Sequence, residues 1–162
     1  MSEKKFVFTL VTPEVRLVKP TDVVSVTAFG QEGAFTALPG HTPFLTPLKE
    51  GTVVKYMTAP DAGEEYYVDA GIIEVLPDRV SVLAESANKA DELPAHRERE
   101  EARRKAFQER LEKNKKEIAA AATGTDAEKA DVKKKLLEIG ELEIQIHRSI
   151  KRIKFIEKKT HG

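Results

Sequence analysis

Apolar residues in the first half of the chain come in short alternations. Phe6, Phe8 and Leu10 are spaced by two, as are Val15 and Leu17, then Val24, Val26 and Ala28, and finally Val80, Val82 and Ala84. A period of two puts one set of side chains on one face of an extended segment, so each series predicts a half-buried β-strand. The runs TVVKYMT, EEYYVDAG and GIIEVLP add β-branched and aromatic segments between them. Pro77-Asp78 separates GIIEVL from RVSVLAE and predicts a tight turn, hence a hairpin. Many short strands at turn-spaced intervals predict a sandwich or barrel.

The pattern changes near Asp91. Seven of the 8 prolines and six of the 9 glycines lie before residue 90. Helix interiors reject both residues, proline by clash and a missing N–H, glycine by backbone entropy. The first part therefore cannot be mainly helical and the second can. Residues 91–162 predict two helices, at about 94–122 and 126–158, with Pro94 in the first turn. Gly124 is a candidate C-cap, and Thr125 or Asp126 a candidate N-cap. In the second helix Val132, Leu136, Ile139, Ile146, Ile150 and Ile153 form one apolar stripe, with a turn skipped at Glu143. The first helix has a thinner stripe of Ala102, Ala106 or Phe107, Leu111 and Ile118. A short connection makes the pair an antiparallel hairpin. The expected organisation is a β-sandwich domain over 1–90 and a helical hairpin domain over 91–162.

Charge follows the same division. The chain as a whole has 27 Lys+Arg against 27 Asp+Glu. Residues 1–90 carry a net charge of −4 and residues 91–162 a net charge of +4. After Val132 nine basic residues face four glutamates. A charge run of this kind is ordinarily a solvated helix face. It also suits docking on an acidic partner surface, where charge steers encounter and register. Zero overall charge argues against a nucleic-acid-binding domain. No apolar run approaches the ~20 residues of a membrane span. The start, MSEKKFVFTLVTPEV, lacks a long apolar stretch and a small-residue cleavage site, so a soluble chain without a leader is expected.

Candidate chemistry is sparse. Zero cysteines exclude disulfides and thiolate sites. His41, His96, His147 and His161 have no metal-ligand spacing, and no phosphate-cradling glycine loop or nucleophile elbow occurs. Neither a catalytic residue nor a metal is expected. The most distinctive stretch is GQEGAFTALPGHTPFLTPLKEG, from Gly30 to Gly51. Its prolines hold the backbone in advance, which lowers the ordering cost of a binding ridge built from its apolar residues.

This stretch carries a resemblance. Gly30, Gly33, Pro39-Gly40-His41, Pro43, Leu45-Thr46, Leu48 and Gly51 resemble the signature of the epsilon subunit of F-type ATP synthases, called delta in mitochondria. Gly71-Ile72-Ile73-Glu74-Val75 followed by Val80-Ser81-Val82-Leu83-Ala84-Glu85-Ser86-Ala87 is similar to a second block of that family. The resemblance implies a sandwich of about ten strands joined to two C-terminal helices. It implies a non-catalytic rotor subunit that links gamma to the c ring and restrains ATP hydrolysis through its hairpin. The implied location is peripheral, on the cytoplasmic face of the bacterial inner membrane or the stromal face of the thylakoid, with membrane association only through the complex.

By position, the resemblance assigns Glu32, Phe35, Pro39, Gly40, His41 and Phe44 to the interface with the c ring and gamma. Ala34 and Thr36 depart from the family pattern, where many members have an acidic residue and a glycine. Arg148, Lys151, Arg152 and Lys154 are the residues implied to dock on the alpha/beta catalytic head. Some members bind ATP through [IL]-D-x-x-R-A. Here that register reads Leu93-Pro94-Ala95-His96-Arg97-Glu98, so the aspartate is missing. Arg97 alone is kept as a nucleotide candidate, and no cofactor is otherwise expected. The alternative from a different class is a stand-alone adaptor or chaperone working through the helical hairpin.

Overall fold

The computed structural model describes residues 4–120 and 126–161. In chain order the elements are β1 (Phe6–Val11), β2 (Arg16–Val23), β3 (Ser25–Gly30), β4 (Gly33–Ala37), β5 (Phe44–Pro47), β6 (Thr52–Ala59), β7 (Ala62–Val75) and β8 (Arg79–Lys89), then a 3-10 turn (Leu93–His96), α1 (Arg97–Ala120) and α2 (Asp126–His161). The chain divides into two compact units, the first ending at Leu93 and the second beginning at Pro94.

The strands follow the order β2-β1-β8-β7-β6-β3-β4, with β5 paired to β7 off that path. The β1–β8 pairing is parallel and the other strand pairings are antiparallel. The period-two reading of β1 and β8 holds, because Phe6, Phe8, Leu10, Val80, Val82 and Ala84 are all buried. They pack with Val26, Val54, Ile73 and Val75 into one core. Of the pair Val15 and Leu17 only Leu17, partly buried, packs against the core. The chain reverses at Thr12, whose N–H donates to Val15 O at 2.9 Å. Val15 is therefore a turn residue, 52% exposed, and β2 buries Val18 and Val23 instead.

Among the described residues there are eight strands, where the resemblance implied about ten, and the runs EEYYVDAG and GIIEV lie on one 14-residue strand. The first part of β7 pairs with β6, and Ile72–Val75 pairs with β5. Between them the register with β8 shifts twice, at Val68/Ala70 and Ala70/Gly71. Extra residues at such bulges bend a strand without ending it. Gly71 sits at the bend, where an added Cβ would lie 2.5 Å from Leu83 O and 2.9 Å from Ala84 Cα. Only glycine fits so close to a neighbouring backbone. Gly71→Val is expected to destabilise the β unit by about 1–3 kcal/mol, the usual cost of overpacking a tight site. Urea unfolding followed by tyrosine fluorescence measures it.

One end of β6, β7 and β8 is closed by a polar cluster. Glu64 accepts hydrogen bonds from Tyr56 OH at 2.8 Å, Tyr66 OH at 3.2 Å and Lys89 Nζ at 2.8 Å. The Lys89 and Tyr56 donors hold the Glu64 carboxyl below its ordinary range. Burial, followed by the charge of Glu64 and its hydrogen bond, pushes the Tyr66 phenol up to about 12. Because the Glu64 value is depressed in the fold, its contribution is complete above the unfolded carboxylate range and fades as pH falls through the folded value. The Tyr66 value is raised, so its contribution is lost as pH rises from about 10 towards about 12. The β unit is therefore expected to be most stable between these limits. Glu64→Gln should flatten the acid side of a melting-temperature profile against pH, and an unchanged profile would contradict the linkage.

The helical unit is an antiparallel pair. Arg97 reaches Glu157 at 3.3 Å, Arg110 meets Glu138, and Lys135 reaches Glu117 at 3.0 Å, so α2 runs back along α1. Pro94 lies in the 3-10 turn, and α1 begins three residues later than expected, at Arg97. The cap candidates Gly124 and Thr125 fall outside the described residues. The expected stripes are only partly inward. Ala102 and Ala106 are exposed, and Leu136 is 55% exposed. Leu111, Leu142, Ile153 and Ile156 are buried, but so are Glu100, Asn114, Ser149 and Arg152. Stripes drawn through apolar residues alone miss the polar positions that share the inward face.

Candidate functional site

The Gly30–Gly51 stretch folds as a turn, an edge strand, a tethered loop and a short strand. Gln31 and Glu32 form the turn between β3 and β4, which pair in register from Val26–Ala37 to Gly30–Gly33. Glu32 is exposed there. After β4, Leu38 to Pro43 form the loop. Gly40 takes φ +83°, a conformation that favours glycine. Its N–H donates to Pro77 O at 2.8 Å, and the His41 N–H donates to Leu38 O at 3.0 Å. The loop is thus tied to the β7–β8 turn.

Three of the assigned residues form one aromatic cluster. The Phe35 and Phe44 rings meet edge to face, with centroids 4.9 Å apart at 81°. The His41 ring lies 5.3 Å from that of Phe44. Its Nδ1 is 2.9 Å from Thr42 O, so the ring is positioned by its own loop. Pro39 is half-buried, while Leu38 and Leu45 are 53% and 62% exposed. Glu32 is not brought into this cluster. The five residues of β4, roughly 17 Å of extended chain, separate its turn from the Pro39-Gly40-His41 loop.

The Glu32 turn instead borders a surface that no motif marked. Gln31 N–H donates to Pro47 O at 3.2 Å. Pro47 pairs with Ile72, Ile72 with Leu83, and Leu83 with Val11, so four strands carry one row of apolar side chains. Leu83 is 55% exposed and Ile72 39%. The row floors an open groove of about 650 Å³, with Gln31, Glu50 and Glu85 along its sides. The signal for it was present in the sequence: Val11, Ile72 and Leu83 are apolar residues on the outward phase of strands whose inward phase is already filled.

The assigned residues of the hairpin take different positions. Lys154 is exposed, and Arg148 and Lys151 are half-buried. Arg152 is 8% exposed, and its Nη1 donates to Glu100 Oε1 at 3.0 Å. Arg97 lies 3.0 Å from Glu101 and 3.3 Å from Glu157, between two carboxylates. Those carboxylates, Glu101 first, raise its pKa. Among the described residues there is no group of three His, Cys, Asp or Glu that could hold a metal ion, and no helix long and apolar enough to cross a membrane.

The family described as ATP synthase, Delta/Epsilon chain, beta-sandwich domain matches residues 5–90. The chain belongs to this family. The ATP synthase epsilon chain of Desulforapulum autotrophicum is 34% identical over 148 residues, covering 91% of this chain and 93% of that one. The epsilon chain of Brucella anthropi is 34% identical over 128 residues, 78% of this chain and 86% of that one. The epsilon chain of Desulfatibacillum aliphaticivorans is 43% identical over 88 residues, and this match spans only 61% of that protein's length. A chain of the Euglena gracilis mitochondrial ATP synthase superposes with a TM-score of 0.59 at 16% identity, covering 97% of this chain and 82% of that one. At that identity the likeness speaks for the fold. This epsilon-type chain thus keeps the family's sandwich, with the signature loop tethered at one end and an apolar groove beside its first turn.

Proposed function

We propose that this chain is a non-catalytic central-stalk subunit of a proton-translocating F-type ATP synthase. In this reading it links the gamma subunit to the c ring and restrains ATP hydrolysis through α1 and α2. The observation that carries the proposal is the Gly30–Gly51 stretch, which builds an exposed turn at Glu32 and, one strand away, a tethered loop beside an aromatic cluster. The loop and the turn suit two partners. The Pro39-Gly40-His41 loop, with exposed Leu38, is the footing on the polar loops of the c ring. The Glu32 turn and the groove floored by Pro47, Ile72 and Leu83 face gamma. No cofactor takes part, and Arg97, held by Glu101 and Glu157, serves the hairpin rather than a nucleotide. The chain is peripheral, on the cytoplasmic face of the bacterial inner membrane, and is held there through the complex.

The test is coupled transport in inverted membrane vesicles. Glu32→Ala with His41→Ala is expected to reduce ATP-driven proton pumping severalfold while leaving the melting temperature of the isolated chain nearly unchanged, because both side chains are away from the core. Full pumping by that variant would remove the loop from the coupling path. An adaptor acting alone would instead purify without gamma or c subunits, and a fixed stoichiometry with both is the expected result.

A further inference from the structure

The positions of α1 turned inward repeat every three or four residues: Glu100, Arg104, Phe107, Leu111, Asn114 and Ile118. Half of them are polar. Glu100 and Asn114 are each 7% exposed, and Arg152, which meets Glu100 from α2, is 8% exposed. Among the described residues, Glu100 Oε2 and Asn114 Nδ2 have no hydrogen-bond partner. Arg103 stands 3.9 Å from the Glu100 oxygen that already accepts from Arg152. Taking two charges out of water costs about as much as their attraction returns, so such a pair adds little to stability even at good geometry. Removing only one of the two is different, because the other charge is left buried alone. A polar residue in a helix–helix seam selects one register and weakens the association.

We propose that this polar seam is a release device. Glu100, Asn114 and Arg152 select the register in which the helices close, and they keep the closed hairpin only slightly favoured over its separated state. An apolar seam of the same length would hold the helices shut. Separation uncovers Arg152 and adds it to the basic face of α2. The proposal rests on the inhibitory reading only for its consequence in ATP hydrolysis.

Amide hydrogen exchange on the full-length protein tests it, with β7 and β8 amides as the internal reference. Glu100→Leu with Arg152→Met is expected to slow exchange in α1 and α2 at least tenfold, and Asn114→Leu alone severalfold. Arg152→Met alone is expected to speed it at least tenfold. If the double variant exchanges as fast as the parent or faster, the pair holds the hairpin shut and the proposal is overturned. Unchanged or faster exchange in Asn114→Leu overturns it equally. If exchange slows as expected but inhibition of the head complex is unaltered, the seam stands and the inhibitory reading fails.

Discussion

Removal of residues 126–162 is expected to raise the ATPase rate of the head complex carrying this chain about tenfold. The expectation rests on charge and on the availability of two states. After Val132 the chain carries nine basic residues against four glutamates, and Lys133, Lys134, Lys154 and Lys158 are exposed. Single exposed pairs are worth about 0–1 kcal/mol. Several acting together supply the ~1.4 kcal/mol that changes a population tenfold. Reversing Lys133, Lys134, Lys154 and Lys158 to Glu should reproduce most of the effect of the deletion. Arg152, buried against Glu100, does not belong in that set. Arg152→Glu would place a second carboxylate against Glu100, forcing the helices apart while also removing a docking charge, and the two effects oppose each other. Inhibition by the parent chain should weaken at high salt, which screens exposed charges most. Equal rates for parent, deletion and reversal would leave the hairpin as a brace with no part in regulation.

How much of this was legible depends on where each residue's reason lies. The inward phases of β1 and β8 were readable because each strand has an unbroken period of two and one filled face. The continuity of β7 was not. Asp69-Ala70-Gly71 looks like the end of one strand and the start of another, and the reason for Gly71 is the backbone of β8, which approaches from twelve residues away in sequence. The Pro39-Gly40-His41 loop was readable because its glycine and prolines are local conformational requirements. Its separation from Glu32 was hidden, since a signature gives spacing along the chain and not the direction in which the intervening strand runs. Glu100 and Asn114 were concealed for a further reason. In a chain that is 33% charged, a polar residue on a helix reads as solvated, and only the partner helix reveals that it faces inward.

Ile72→Asp with Leu83→Asp is expected to abolish stable association of the chain with gamma while leaving its fold intact. Both residues project from the face opposite the core: their neighbours Ile73, Val82 and Ala84 are buried, whereas Leu83 is 55% exposed and Ile72 39%. They pair directly across β7 and β8, so a partner covering one covers the other. Burying a fully exposed Leu or Ile side chain contributes about 1.5–3 kcal/mol, so covering what is still open of these two contributes about 1.5–3 kcal/mol together. At ~1.4 kcal/mol per factor of ten, their loss weakens binding about ten- to a hundredfold. The aspartates add the cost of burying charge without a partner, in a groove already flanked by Glu50 and Glu85. In the isolated chain the same changes cost about 1 kcal/mol each, the span of strand propensities measured in a host protein. The measurement is co-purification with gamma, read beside a thermal melt of the free variant. A variant that melts near the parent temperature and no longer retains gamma assigns the groove to the rotor contact. A variant that melts normally and still holds gamma at parent stoichiometry removes the groove from that interface and leaves the Gly30–Gly51 loop to carry both partners.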